Sequence, residues 1–207
     1  MSIPITMHRK RLGEGQRFFP YFYLFLFSFL FFGFLFSAVA NAQGSGREKL
    51  SPFDRLAEEA TLLNKRGQTD QVISLLEPSR NDKKNDSALF FNELGVAYRQ
   101  KGRLSDAVGA YQAALARDPE NPVIMKNLGD AHLLNKEYPL ALEQYEKALQ
   151  SNPRFHQAHT SLGIAYYQME KYSQALEEFE IVLNLDPQNE QARKYKEAIL
   201  KKKIKSK

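Results

Sequence analysis

The sequence predicts an all-α fold, an α-solenoid of antiparallel helix hairpins, because one pattern recurs with a period of 34 between positions 88 and 189. Each period carries a Leu-Gly pair, alanines at fixed places, an aromatic residue and a closing proline. The repeated residues are Leu94, Leu128 and Leu162; Gly95, Gly129 and Gly163; Ala97, Ala131 and Ala165; Ala107, Ala141 and Ala175; Tyr111, Tyr145 and Phe179; and Pro119, Pro153 and Pro187. A fixed period of this length is typical of solenoids, which stack copies of one supersecondary unit.

Each period is predicted to contain two amphipathic helices. In the third, the first apolar stripe consists of Leu162, Gly163, Tyr166 and Met169, and the second of Ala175, Phe179, Val182 and Leu183. Both stripes have helical spacing. Asp186-Pro187 ends the second helix, because the residue before a proline disfavours helical angles. The turn between the stripes is short, so the two helices must pack antiparallel.

Small residues at fixed places predict a close approach of the two helices in each hairpin. Gly163 on the first helix and Ala175 on the second lack bulk, and Tyr166 and Phe179 would fill the space beside them. Glycine costs about 1 kcal/mol in a helix interior, so its presence in all three units favours a packing role. We therefore expect each glycine to face the alanine of its own hairpin. Gly129→Leu should then overpack the contact and cost roughly 1–3 kcal/mol.

Residues 1–42 are predicted to be a signal peptide or a signal anchor. A basic N-terminus precedes an uncharged, phenylalanine-rich run over 18–40, and small residues follow it. Ala40 and Ala42 fit the small-residue cleavage pattern, which predicts a mature start at Gln43. The run also reaches the ~20 residues that span a bilayer, so an uncleaved anchor remains open. Either way the repeats are exported, periplasmic or anchored at the inner membrane with the repeats outside the cytoplasm.

Residues 43–52 are predicted to be a polar linker that ends in Ser51-Pro52, a typical helix start. Residues 53–87 are predicted to be a degenerate capping repeat, because they keep two apolar stripes but lack the Leu-Gly pair. Pro78 stops the second of these helices early, and a loop is expected over 79–87. Terminal repeats are often atypical because they cap the stack.

The regular units are predicted at 88–121, 122–155 and 156–189, and Pro139 marks a helix start in the second of them. A capping helix is expected over 190–200, with its apolar face formed by Ala192, Tyr195, Ala198 and Ile199. Residues 201–207 are a basic tail. It is interpreted either as a solvated helix end or as a group of lysines attracted to an anionic membrane surface.

The repeats resemble the tetratricopeptide repeat family. The second unit carries the residues of that pattern as Met125, Leu128, Gly129, His132, Ala141, Tyr145, Ala148 and Pro153. His132, His159 and Val182 depart from it, since a tyrosine, a large aromatic residue and an alanine are usual there. The resemblance recurs three times in register over about half of the sequence. It implies a right-handed solenoid with a concave face that binds other proteins.

Composition argues against several function classes. Net charge is +5, but the basic residues cluster at the ends, and the part between carries 20 basic and 23 acidic residues. A nucleic-acid surface on the repeats is therefore not expected. The sequence has no cysteine, which excludes disulfides, thiolate nucleophiles and cysteine metal sites.

No sequence motif indicates an enzyme, a cofactor or a small-molecule substrate. Phosphate-binding loops, nucleophile elbows and paired-acid motifs are absent from the sequence. His156 and His159 are three apart on a predicted helix, but no third ligand is evident nearby, and zinc sites need three or four. We therefore predict a protein without catalytic residues, cofactor or metal.

The resemblance places a partner-binding groove on the first helices of successive units, for an extended peptide or a helix. Mapped by place in the repeat, the predicted groove residues are Asn92, Val96, Arg99, Lys126, Asn127, Asp130, Leu133, Thr160, Ile164 and Tyr167, with Lys194 from the capping helix. Exposed apolar side chains among them would be good binding anchors.

Some members of the family clamp a C-terminal carboxylate on this face with a set of Lys, Asn and Arg side chains. Asn127 fits that set, but three places that need donors hold Val96, Gln157 and Ser161. One unit along, Lys126 fits and Asp130 stands in an asparagine place. The resemblance thus implies an incomplete clamp, which argues against a receptor for chaperone tails.

Two functions follow as hypotheses. The first is an exported, non-enzymatic scaffold that brings together components of a bacterial envelope assembly through its groove. The alternative is a membrane-anchored subunit that joins a larger inner-membrane complex through its apolar segment. A cryptic hydrolase or metal protein is a third possibility, which trace-metal measurement would test.

Overall fold

The structure is a computed structural model that describes residues 50–205. Within that range it consists of helices joined by turns and irregular segments. Its helices are α1 (Pro52–Lys65), α2 (Thr69–Leu76), a short 3-10 helix (Glu77–Ser79), α3 (Ala88–Gln100), α4 (Leu104–Leu115), α5 (Pro122–Leu134), α6 (Tyr138–Ser151), α7 (His156–Gln168), α8 (Tyr172–Leu185) and α9 (Glu190–Lys205). The predicted leader and its cleavage residues Ala40, Ala42 and Gln43 lie outside the described residues.

The helices pack as successive hairpins, which confirms the predicted all-α solenoid. α3 pairs with α4, α5 with α6, and α7 with α8, while the first helices α3, α5 and α7 also contact one another in series. α1 and α2 form a smaller hairpin against α3, and α9 packs on α8 at the other end. The first helices therefore line one continuous face.

Polar caps and prolines fix where several helices begin. The Ser51 hydroxyl accepts a hydrogen bond from the Asp54 amide at 3.1 Å, and Ser87 accepts one from the Phe90 amide at the same distance. Asn121 caps α5 in the same way through its side-chain oxygen. Pro139 lies in the first turn of α6, where a missing N–H costs nothing.

The turns inside the hairpins share one backbone geometry. Gly67, Gly102, Lys136 and Glu170 have φ between 61° and 73°, in the left-handed region. The next amide then donates to a carbonyl five residues earlier, as from Arg103 to the Tyr98 carbonyl at 2.9 Å. This Schellman-type closure ends each first helix and makes the two helices antiparallel.

An aromatic ring covers the glycine in the middle of each regular hairpin. A Cβ added at Gly95 would lie 2.6 Å from Tyr111 Cε1, and one at Gly129 would lie 2.6 Å from Tyr145 Cε1. At Gly163 the nearest atom is Phe179 Cε1, at 2.9 Å. The close approach is therefore real, and the atoms nearest to each glycine belong to the aromatic ring of the second helix and not to the alanine that we expected there.

The degenerate first hairpin is buried by its neighbour. Ala57, Ala60, Val72 and Leu76 are fully buried, and the Phe53 ring meets the edge of Phe90 at 6.2 Å between centroids. α2 ends early, at Leu76, since Pro78 follows within the short 3-10 helix.

The predicted loop over 79–87 begins with the last residue of the 3-10 helix, is irregular from residue 80, and is tied to the first regular hairpin. Asn85 is buried, and its carbonyl accepts hydrogen bonds from the Arg117 guanidinium at 2.6 and 3.0 Å. The same guanidinium lies over the Phe91 ring, 4.0 Å from its centroid. Arg117 thus joins the loop to α3 and α4.

α9 covers the last hairpin and is longer than predicted. Ala192 and Ile199 are fully buried, and the Tyr195 ring stacks on Phe179 at 5.1 Å. The helix begins at the predicted residue but continues to Lys205, so most of the predicted tail is helical. Lysine is a good helix former, and its charge is favourable near a helix C-terminus. Among residues 50–205, no helix is both long and apolar enough to cross a bilayer.

Candidate functional site: a concave groove on the first helices

A concavity of about 520 Å³ opens on the face formed by α3, α5 and α7. Six of the eleven predicted groove residues line it: Arg99, Lys126, Asp130, Leu133, Thr160 and Ile164. Two further lining residues, Gln157 and Ser161, occupy the clamp places that the resemblance puts on this face, and the remaining ones were not predicted: Leu134, His156, Gln168, Asn189 and Gln191. We call this concavity the groove.

Asp130 lies at the centre of a hydrogen-bond network in the groove. Its Oδ1 accepts from the Tyr145 hydroxyl and from the Ser161 hydroxyl, both at 3.0 Å, and its Oδ2 lies 2.7 Å from Lys126 Nζ. Helix α5 supplies Lys126 and Asp130 one turn apart, while α6 and α7 supply the two hydroxyls. The network therefore links two successive repeats through one carboxylate.

Two of the three aromatic rings over the glycines, those of Tyr111 and Tyr145, carry hydroxyls that bond to charged residues of the groove. Burial, with the Asp130 charge adding to it, raises the pKa of Tyr145, so this hydroxyl stays protonated and acts as a donor. Burial also raises the pKa of Tyr111 to about 12, and its hydroxyl accepts a bond from Arg99 Nε at 3.4 Å. The same rings thus close the hairpins and fix charged side chains of the groove.

Three predicted residues lie beside the groove, not in its lining. Asn92 and Asn127 are buried, and the Asn127 amide donates to Asn92 Oδ1 at 3.0 Å. The Asn92 amide in turn donates to Glu93 Oε1 at 3.2 Å, and Asn64 donates to Glu93 Oε2 at 2.7 Å. This polar ladder joins α1, α3 and α5. Val96, the third, is half-buried against the core of the N-terminal hairpins.

Tyr167 and Lys194 are placed near α9 outside the groove lining. The Tyr167 ring contacts those of Tyr172 and Tyr195 edge to face, at 5.6 and 5.1 Å between centroids. Lys194 is exposed and pairs with Glu190 on its own helix. α9 thus covers Tyr167, a contact that the repeat position alone does not reveal.

The two neighbouring histidines of α7 have different surroundings. His159 Nδ1 lies 2.7 Å from Glu178 Oε2, and its Nε2 lies 3.1 Å from the Pro153 carbonyl oxygen. Both partners are acceptors, so the site favours the doubly protonated ring, and the Glu178 bond raises the pKa of His159. Both ring nitrogens are therefore engaged, whereas His156 lines the groove. Within residues 50–205, no three His, Asp or Glu side chains are grouped as metal ligands.

The missed residues carried a weak sequence signal. His156 begins the predicted third unit, but nothing in its repeat position marked it as a groove residue. Asn189 and Gln191 come from the start of α9, which closes the end of the groove. Polar residues of this kind have no pattern of their own, so only the packed neighbours identify them.

Two family models match the described repeats. One for the tetratricopeptide repeat matches residues 92–155, and one for the Fis1 C-terminal tetratricopeptide repeat matches residues 161–206. These two parts of the protein are thus tetratricopeptide repeats. Gly95 and Gly129 lie in the first matched range and Gly163 in the second, so the three ring-covered glycines fall within the matches. No curated protein sequence matches the protein.

Solved structures of tetratricopeptide domains are similar to the protein. The first such domain of Spaghetti (RPAP3), bound to the HSP90 peptide SRMEEVD, is 26% identical, with a TM-score of 0.55, over 58% of this sequence and 96% of that one. The second domain of human RPAP3, in complex with an HSP70 peptide, is 26% identical, with a TM-score of 0.50, over 53% and 91%. MamA AMB-1 is 23% identical, with a TM-score of 0.61, over 70% of this sequence and 86% of that one. At this identity the similarity supports the fold and no shared function.

Proposed function

We propose that the protein is a non-enzymatic interaction scaffold whose groove binds an extended peptide or a helix of a partner protein. The observation that carries this proposal is the groove, in which three successive first helices present apolar and polar side chains to solvent. The peptide complexes of the RPAP3 domains, which have similar hairpins, support it.

The apolar part of the groove is suited to hold a partner side chain. Leu134 is 55% exposed although leucine is usually buried, and Ile164, which also lines the groove, is half-buried. Covering such surface gains about 25 cal/mol per Å² of apolar area removed from water. The amides of Gln157, Gln168 and Asn189 around it can both donate to and accept from a peptide backbone.

A matched pair of variants tests this proposal. Leu134→Asp places a charge in the groove, while Leu140→Asp makes the same change at a site that is 44% exposed and does not line it. Peptides selected on the unaltered protein from a displayed random library should bind Leu140→Asp normally and lose at least about tenfold in affinity for Leu134→Asp. Equal binding by both variants would contradict the groove as the binding site.

We also propose that residues 1–42 direct export and that the repeats act in the bacterial cell envelope, on the basis of the basic start, apolar run and small-residue ending of that segment. Mass spectrometry of the protein from its native host tests the two forms, since an N-terminus at Gln43 indicates cleavage and one near Met1 an anchor. If a bound partner is lost on deletion of residues 18–40 but survives Leu134→Asp, the alternative function as a membrane-anchored subunit holds instead.

A further inference from the structure

The last turns of α9 carry a pair of exposed apolar side chains. Leu200 is 42% exposed, and Ile204 is 75% exposed. Residues four apart lie on the same side of a helix, so the two side chains are neighbours. Ile199, in contrast, is fully buried with the core residues of the last hairpin. The helix therefore has one side packed on α8 and, away from it, an apolar pair in contact with solvent.

Lys202 holds these turns of α9 in a fixed orientation. Its Nζ donates to the Tyr172 hydroxyl at 2.8 Å, and it lies 4.8 Å from the centroid of that ring and 5.1 Å from the centroid of the Tyr167 ring. An ammonium group is attracted to aromatic faces at such distances. Together with the buried Ile199, this contact fixes the rotation of α9 about its axis and keeps Leu200 and Ile204 exposed.

The same segment is basic and has no acidic residue of its own. Positions 198 to 207 contain no Asp or Glu and five lysines: Lys201, Lys202, Lys203, Lys205 and Lys207. Lys196 precedes them and is paired with Glu180 of α8 at 2.9 Å. Among residues 50–205, neither Lys201 nor Lys202 forms an ion pair with a carboxylate. An apolar pair thus lies next to positive charge that the described carboxylates do not pair with.

The combination of charge and exposed apolar surface favours one kind of partner. A second copy of the protein would bring the same lysines against one another, and like charges oppose association. A nucleic acid would attract the lysines through its phosphates, but this electrostatic binding leaves Leu200 and Ile204 without a partner. An anionic bilayer suits both features, since its headgroups attract lysines and its acyl chains accept apolar side chains.

We propose that the last turns of α9 bind the surface of an anionic lipid bilayer, with Leu200 and Ile204 inserted at the headgroup boundary and the lysines from Lys201 onward attracted to the lipid phosphates. A helix bound in this way lies on the membrane and does not cross it. None of these residues lines the groove, so the proposed peptide binding does not depend on this surface.

A local probe on the full-length protein tests the proposal. The sequence has no cysteine, so a single environment-sensitive fluorophore can be attached at Ile204→Cys. Its emission should shift to the blue with vesicles that contain phosphatidylglycerol and not with vesicles of phosphatidylcholine alone. Added salt should reduce the shift, because it screens exposed charges. The same fluorophore at Leu140→Cys, a 44% exposed site on α6, should not respond. Attachment of residues 18–40 to the vesicle would not by itself place the label in lipid.

A charge variant and its control test the role of the lysines. With the label at position 204 and lipid at a concentration that half-saturates the shift, the ratio of bound to free label should fall about tenfold in Lys201→Gln with Lys205→Gln. Lys83→Gln with Lys84→Gln removes the same charge from exposed residues of the loop over 79–87 and should change the ratio little.

An apolar variant tests the inserted side chains. Leu200→Gln should reduce the ratio of bound to free label about fivefold, because the glutamine amide is not gained by the acyl region. Leu62→Gln, at a 55% exposed leucine of α1, is the control and should have little effect.

Three results would overturn the proposal. The first is an unchanged emission at position 204 with phosphatidylglycerol vesicles, or an equal shift at position 140. The second is a blue shift that appears without vesicles as the protein concentration rises, which would assign the surface to a second copy. The third is displacement of the vesicles by duplex DNA with no loss in Leu200→Gln, which would assign it to a nucleic acid. Each of these leaves the groove proposal standing, since the peptide library tests that separately.

Discussion

The contact between the helices of a hairpin and the turn that joins them both use glycine, for different reasons. At the contact, Gly129 leaves only 2.6 Å between an added Cβ and the Tyr145 ring, so no side chain fits. At the turn, Gly67 and Gly102 have φ of 70° and 73°, but Lys136 adopts 61° in the same place of a later repeat. At the contact, the lack of space excludes any side chain. At the turn, glycine is only favoured by the backbone conformation.

The largest expected effect is at the contact. Gly129→Leu should reduce the free energy of unfolding by roughly 1–3 kcal/mol or more, because the added side chain forces the Tyr145 ring aside. Urea denaturation measures it. Gly109→Ala is the control: this exposed glycine of α4 has no atom within 4 Å of an added Cβ, so alanine should stabilise by about 0.5–1 kcal/mol. Equal effects at the two sites would refute the steric argument.

The ring over the glycine also has a polar role, which a second change isolates. Tyr145→Phe keeps the ring over Gly129 but removes the hydroxyl that donates to Asp130 at 3.0 Å. A lost bond to a charged group should cost about 1.5–3 kcal/mol. Tyr111→Phe, whose hydroxyl is 3.4 Å from Arg99 Nε, should cost less. If thermal unfolding shows a larger loss of stability for Tyr111→Phe than for Tyr145→Phe, the hydrogen bond to Asp130 is not the stronger of the two.

At the turn, the strain of a non-glycine residue in the left-handed region can be removed by substitution. Lys136→Gly should stabilise the protein by about 0.5–1 kcal/mol. An L residue in the left-handed region is strained by about 1–2 kcal/mol. Removing that strain is partly offset, because glycine gives the unfolded chain more conformational entropy. Gly102→Ala should destabilise by a similar amount, with no steric contribution. Loss of stability in Lys136→Gly would show that the lysine side chain matters more than its φ.

The stability that the third hairpin gains at its helix contact, around Gly163, should depend on pH. Its glycine lies near Glu178, which bonds His159 and raises the pKa of that ring above its ordinary value of 6.5. The folded pKa is the higher one, so the stabilisation is fully present below pH 6.5 and is lost as the pH rises through the folded pKa. Melting temperatures from about pH 5 to about pH 9 should show this loss. Glu178→Gln should flatten it, and the exposed Glu177→Gln should not.

The period of the sequence predicted the hairpins because packing repeats with it. Helix ends followed from Ser51, Pro78 and Pro139, which act locally. The nearest neighbour of each glycine could not be predicted in this way, because alanine and tyrosine both recur every 34 residues and a period does not say which of the two lies nearer to Gly129.

The groove was predicted in part for the same reason. Arg99 and Asp130 occupy repeat positions that face inward, and the structure places both there. Asn127 shares such a position but bonds to Asn92, and Tyr167 lies under α9. These placements depend on contacts between neighbouring helices, which one repeat considered alone does not contain.

The most direct test of the central claim is site-specific photocrosslinking of a selected peptide to the full-length protein, with the photoreactive residue placed at position 134 or at position 140. A partner bound in the groove should crosslink from position 134 and not from position 140, because only the first lines the concavity. Crosslinking from position 140 alone would place the peptide on another face and contradict the account.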